Sequence, residues 1–162
     1  MKLAASDNGE NELKTGVMIV SHYRLGEEML QALRLIVPEA PPFQAVGIDP
    51  KQTVDEMRAA IAERLEEVDR GEGVLILTDM FGGTPSNISL SFLDEHRVEV
   101  VTGVNLPMLI KLATWSDPPP LEELARKIRD YGQRDIKVAS ELLPDRSGPQ
   151  EDRSGSEEPA GG

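Results

Sequence analysis

Leu77-Thr78-Asp79-Met80-Phe81-Gly82-Gly83-Thr84-Pro85-Ser86-Asn87 is the stretch on which the fold turns. The apolar run Val74 to Leu77 reads as a buried strand. It leads to a carboxylate, Asp79, and then through two glycines. Thr84 followed by Pro85 reads as a helix N-cap and the favoured first helical residue. An acid, a permissive backbone and the positive end of a helix therefore converge at a strand exit. In an open α/β sheet, ligands bind at that edge. Glycines let backbone N–H groups approach a ligand, and a helix N-terminus favours an anion. A plain strand–turn–helix connection would carry the same local pattern, so the decisive partner has to lie elsewhere.

That partner is upstream. Gly16-Val17-Met18-Ile19-Val20 is a continuous apolar run, as expected of a strand buried on both faces, and it ends at Ser21-His22-Tyr23. Leu25, Met29, Leu33 and Ile36 then recur at helical spacing until Pro38, Pro41 and Pro42 stop the helix. Phe43 to Ile48 is a second strand. Thr53 with Glu56 gives a capping-box signature for a helix carrying Met57, Ala60, Ile61, Leu65 and Val68 on one side. After the central stretch come a helix with Ile88, Leu90, Phe92 and Leu93, then a strand over Val98 to Thr102. The loop Gly103-Val104-Asn105-Leu106-Pro107 enters a helix running to about Trp115. Asp117-Pro118-Pro119-Pro120 reads as a rigid linker. Leu121 to Tyr131 reads as a last amphipathic helix capped by Gly132, and Ile136 to Ala139 as a short last strand.

Strands alternating with helices predict an α/β fold, a doubly wound and mostly parallel sheet with helices on both faces. Residues 1–14 read as a flexible N-terminal segment, 15–140 as the domain, and 141–162 as a disordered acidic tail without apolar period. The formal charge of −12 argues against a nucleic-acid surface or an anionic membrane, both of which call for a basic face. No apolar run approaches the roughly 20 residues that span a bilayer, and the polar start lacks a signal-peptide apolar region. A cytoplasmic protein is expected, with no direct membrane insertion. There is no cysteine, which removes disulfide and thiol chemistry, and the two histidines do not make a His-rich metal site. No metal or organic cofactor is implied.

Three strand exits share one edge of this sheet: Ser21-His22, Asp79 with its glycines, and Gly103 to Pro107. Histidine is nucleophilic near neutral pH because its ordinary pKa is about 6.5. A carboxylate at Asp79 can fix the ring tautomer of His22 and leave the other nitrogen free to attack. Gly82, Gly83 and Thr84 can hold an anionic group opposite that nitrogen. The set suits phosphorylation of a histidine. His96, between a helix and a strand at the other edge, reads as a solvated loop residue, and Met108 and Trp115 as packing.

In order and spacing, Val20-Ser21-His22, the block from Thr78 to Asn87, and Gly103 to Pro107 resemble the mannose-type IIA component of the bacterial sugar phosphotransferase system (PTS). The resemblance covers about Thr15 to Ser140. It implies a phosphoryl carrier, a phosphotransferase component that takes phosphate from phosphorylated HPr and passes it to a IIB domain. His22 falls on the phosphorylated histidine and Asp79 on the carboxylate that bonds its ring, leaving Nε2 to attack. Thr84 falls on the hydroxyl residue beside the phosphoryl group and Gly82 and Gly83 on the loop around it. Ser21, Met80, Phe81, Asn105 and Pro107 are expected to line the site. The resemblance further implies a homodimer that exchanges the last strand, here near Ile136 to Ala139. One departure stands beside the nucleophile: Tyr23 occupies a position where the family usually has glycine. No IIB domain and no sugar permease follow in this sequence, so a regulatory phosphorelay is expected as readily as sugar uptake. The phosphotransfer subunit of a dihydroxyacetone kinase and a non-catalytic small-ligand module are the competing readings. A receiver-like domain phosphorylated on Asp79 fits less well, because the first strand does not end in a pair of acids able to hold Mg²⁺.

Overall fold

A computed structural model describes residues 13–143. The start of the expected N-terminal segment (1–12) and the acidic tail from 144 onward lie outside the described residues. Strands β1 (Gly16–His22), β2 (Gln44–Ile48), β3 (Val74–Thr78) and β4 (Val98–Thr102) form one sheet in the order β2-β1-β3-β4. Every pairing is parallel, with Val20 opposite Thr78 and His22 opposite Ile48.

The apolar strand sequences dictate a two-faced core, because successive side chains point to opposite sides. Val17, Ile19, Leu75 and Leu77 pack against α1 (Leu25–Ile36), α4 (Leu106–Thr114) and α5 (Leu121–Arg134). Met18, Val20, Val74 and Ile76 pack against α2 (Val54–Val68) and the short α3 (Thr84–Leu90). Leu75, Ile76 and Leu77 are fully buried. Side chains of this size stabilise the fold by about 1.5–3 kcal/mol each on burial. The expected doubly wound α/β architecture is therefore observed. The chain winds one way from β1 to β2 and the other way from β3 to β4. The winding direction reverses between β1 and β3, which is where a crevice opens at the carboxyl ends of such sheets.

The expected capping box of α2 is present: the Thr53 hydroxyl accepts from Glu56 N (3.2 Å), and the Glu56 carboxylate accepts from Thr53 N (2.7 Å). Other expectations are corrected. Thr84 is not the cap of α3; it is already helical, and Gly83 is the cap, with no side-chain cap bond. Pro85 is compatible with either of the first two helical positions, so its presence does not fix the start to the residue. The helix ends at Leu90, leaving Leu90 and Leu93 exposed while Phe92 is buried from the turn beyond. Gly132 does not end α5 but lies inside it, against α4, where a Cβ would come 2.5 Å from Met108 Sδ. Of the inner stripe read for α1, Leu33 is buried and Met29 packs against the core, whereas Leu25 and Ile36 are exposed and Leu30 is buried in addition.

The strand expected at Ile136 to Ala139 does not form within the single chain. Ile136 to Val138 belong to no ladder, and Ala139–Leu142 is a 3-10 turn. A strand requires an edge to bond to, and among the described residues this segment meets none.

Candidate active site

The reversal of winding places His22 and Asp79 side by side. His22 is the last residue of β1 and Asp79 the first beyond β3, on neighbouring strands. Asp79 Oδ2 lies 2.7 Å from His22 Nδ1 and also accepts the His22 backbone N–H at 2.9 Å. Its Oδ1 accepts the Met80 backbone N–H at 2.9 Å. One carboxylate thus holds both the main chain and the ring of the histidine.

Partial burial pushes the Asp79 carboxyl up. The hydrogen bonds from the His22 backbone and ring, the attraction of the imidazole and the Met80 N–H outweigh it, and its pKa lies below the ordinary value of 3.8. Asp79 is therefore ionised at neutral pH and accepts only. In the neutral imidazole, a hydrogen bond to this carboxylate places the proton on Nδ1 and the lone pair on Nε2. The His22 side chain is 45% exposed and that of Asp79 only 10%, so the imidazole is open and the carboxylate beside it is covered.

The glycine loop sits against the free side of the ring. Gly82 takes a left-handed φ of +80°, a conformation that favours glycine. A Cβ on Gly83 would stand 2.9 Å from His22 Cε1 and 3.4 Å from Nε2. Gly83 is thus a close-approach residue, and Gly83→Ala is expected to displace the ring. A displacement near 1 Å costs on the order of 10²-fold in rate. Unfolding stability should change little, since Gly83 has ordinary backbone angles. Phosphorylation kinetics at unchanged melting temperature would check this; a rate within twofold of wild type would refute it. Thr84 is exposed, and its hydroxyl makes no hydrogen bond within the described residues, so it is free for a ligand.

The remaining expected site residues divide. Met80 and Phe81 are exposed, and Met80 shares the surroundings of Gly83 with His22. Ser21 is fully buried; its hydroxyl accepts the Gly26 N–H at 2.8 Å and supports the start of α1 from beneath. The Asn105 side chain caps α4 by accepting from Met108 N (3.1 Å), and its amide donates to the Gly132 carbonyl (3.1 Å). Pro107 lies in the first turn of that helix. Neither Asn105 nor Pro107 bonds to the His22–Asp79 pair among the described residues.

Sequence reasoning missed Gly47 and the backbone of Tyr23. Tyr23 has φ +47°, the sole left-handed non-glycine among the described residues. For a bulky residue that conformation costs roughly 1–2 kcal/mol. Tyr23 N donates to Ile48 O at 3.0 Å, and a Cβ on Gly47 would come 2.3 Å from Tyr23 O. A glycine inside a strand pattern was the available signal for that close approach.

Fold and site together define a doubly wound α/β protein with a carboxylate-held histidine where the sheet changes direction. Comparison with known proteins carries the assignment further. The family model described as "PTS system fructose IIA component" (EIIA-man) matches residues 16–129, and the chain belongs to this mannose-type family of PTS IIA components. It is 33% identical over 104 residues to the fructose-specific EIIA component of Bacillus subtilis (strain 168), covering 64% of this chain and 67% of that relative. It is 27% identical over 124 residues to the mannose-specific EIIAB component of Escherichia coli (strain K12), covering 75% of this chain but only 38% of that longer protein. Among solved structures, the mannose/sorbose specific IIA subunit from Enterococcus faecalis superposes with a TM-score of 0.71 at 30% identity, over 78% of this chain and 95% of that one. As a PTS IIA component the chain is a phosphotransferase component. No helix of the described residues is long and apolar enough to cross a membrane.

Proposed function

We propose that the domain, residues 15–140, is a cytoplasmic phosphoryl carrier that accepts phosphate on His22 from phosphorylated HPr and passes it to a IIB domain. The observation that carries this reading is the 2.7 Å contact between His22 Nδ1 and Asp79. It leaves Nε2 as the nucleophile. The Nε2 lone pair forms the new N–P bond as the donor's N–P bond breaks, and the electron pair of that bond returns to the donor's imidazole. Nδ1 keeps its proton on Asp79, whose charge balances the ring as phosphorylation makes it cationic. The Gly82 and Gly83 backbone and the Thr84 hydroxyl hold the phosphoryl oxygens. Transfer to the acceptor reverses the same step.

Incubation with phosphorylated HPr, followed by mapping of the label, tests the assignment. Alkali-stable phosphate on Nε2 of His22 is expected. Alkali-labile phosphate on Asp79, or no label, defeats it.

The carrier acts as a homodimer in which the segment from Ile136 pairs with the partner's β4. Two observations support this: β4 is an open edge of the sheet among the described residues, and Ile136, Val138, Leu142 and Leu143 are all exposed. Unpaired edges and apolar arms are costly in water and become stable when joined. Sedimentation should give twice the 17.7 kDa of one chain, and removal of the residues from 136 onward should give a monomer. A full-length monomer at micromolar concentration would overturn the exchange.

A further inference from the structure

Tyr23 combines three properties that no other described residue shares. It holds a left-handed backbone that glycine would adopt without strain. It cannot relax, because Ile48 O receives its N–H at 3.0 Å and Gly47 closes on its carbonyl. And its side chain is 60% exposed and makes no hydrogen bond, ring or cation–π contact among the described residues. Strain of this kind persists at functional sites, and this residue directly follows the nucleophile.

The surroundings indicate what the ring meets. Leu25, Met80 and Phe81 are also exposed, so apolar side chains stand on the stretches flanking His22 in sequence and in the adjoining loop. A nucleophile 45% exposed does not enclose a small substrate, which a pocket would bury by about 70–90%. It suits a reactive group carried on another protein's surface. Tyrosine supplies a large, stiff, amphipathic contact and is enriched where proteins meet.

We propose that Tyr23 is a partner-selecting residue. Its ring forms part of the surface onto which the phosphoryl-donating protein docks, and it acts on encounter and not on the transfer step. This rests on the carrier reading above. The test compares the wild type with Tyr23→Gly and Tyr23→Phe, using phosphorylated HPr as the protein donor and phosphoramidate as a small donor that needs no docking. For Tyr23→Gly, KM for phosphorylated HPr should rise about tenfold, as for loss of an aromatic interface contact. Its kcat and its phosphoramidate rate should stay within twofold, and its melting temperature should lie at or above the wild-type value. Tyr23→Phe should keep the wild-type KM, since the ring is retained. An unmoved KM in Tyr23→Gly overturns the proposal, as does a phosphoramidate rate that falls in parallel, which would place the ring in the positioning of His22. Wild-type protein that takes no phosphate from phosphorylated HPr defeats the carrier reading itself, and this proposal with it.

Discussion

His22→Ala is expected to abolish labelling of this chain by phosphorylated HPr. On the carrier reading proposed above, the substitution removes the atom that forms the new bond, and no other described histidine stands at that edge of the sheet. His96 lies between α3 and β4, its ring 6.0 Å from that of Phe92. The fold should tolerate the change, because the His22 side chain is largely outside the core. Surface substitutions of that kind usually move stability by no more than about 0.5 kcal/mol. Here the loss of the Asp79 contact adds a modest cost. Labelling at the wild-type level by a folded His22→Ala protein would sink the assignment of the nucleophile.

Asp79→Asn should slow labelling by about 10³-fold or more, the scale seen when an orienting carboxylate is neutralised elsewhere. An amide can still hydrogen-bond the ring, but it presents both a donor and an acceptor and carries no charge. The tautomer is then no longer fixed, and the phosphorylated ring loses its counter-charge. A second readout comes from acid stability. Folded Asp79 ionises at lower pH than in the unfolded chain. The stability it contributes is complete above the ordinary carboxyl value of 3.8 and is lost as pH falls through its lower, folded value. The gap in unfolding free energy between wild type and Asp79→Asn should therefore be wide near neutral pH and narrow in strong acid. Urea unfolding at about pH 7 and about pH 3 would measure it. A gap that widens on acidification would show that the carboxylate is not held as described.

Much of this was readable before any coordinates, and the reasons are local. The strand runs Val17 to Val20 and Val74 to Leu77 are apolar on both faces, as a parallel sheet covered by helices on each side requires. Their exits then had to meet at one edge, and that brought His22 and Asp79 together. What escaped was whatever depends on a neighbour distant in sequence. Gly132 looks like a helix end by residue type, but the closeness of Met108 is what requires it. Leu25, Leu33 and Ile36 fit a helical stripe, yet of these the position of the sheet buries only Leu33, and it adds Leu30. The Asp79 bond to the His22 backbone could not be read from residue types, because any residue offers an N–H. The segment from Ile136 has a strand's composition but pairs with no strand among the described residues.

The carboxylate that grips His22 by both ring and main chain lies just beyond β3, a strand reached only after β2 and α2 along the chain. The two residues are 57 positions apart, so neither half of the sheet can assemble the pair alone. If His22 carries the phosphate as proposed, competence for transfer is tied to the melting of the β1–β3 seam. In a denaturant series, the fraction of chains able to take up phosphate should fall together with the far-ultraviolet signal, making the covalent label a gauge of native molecules.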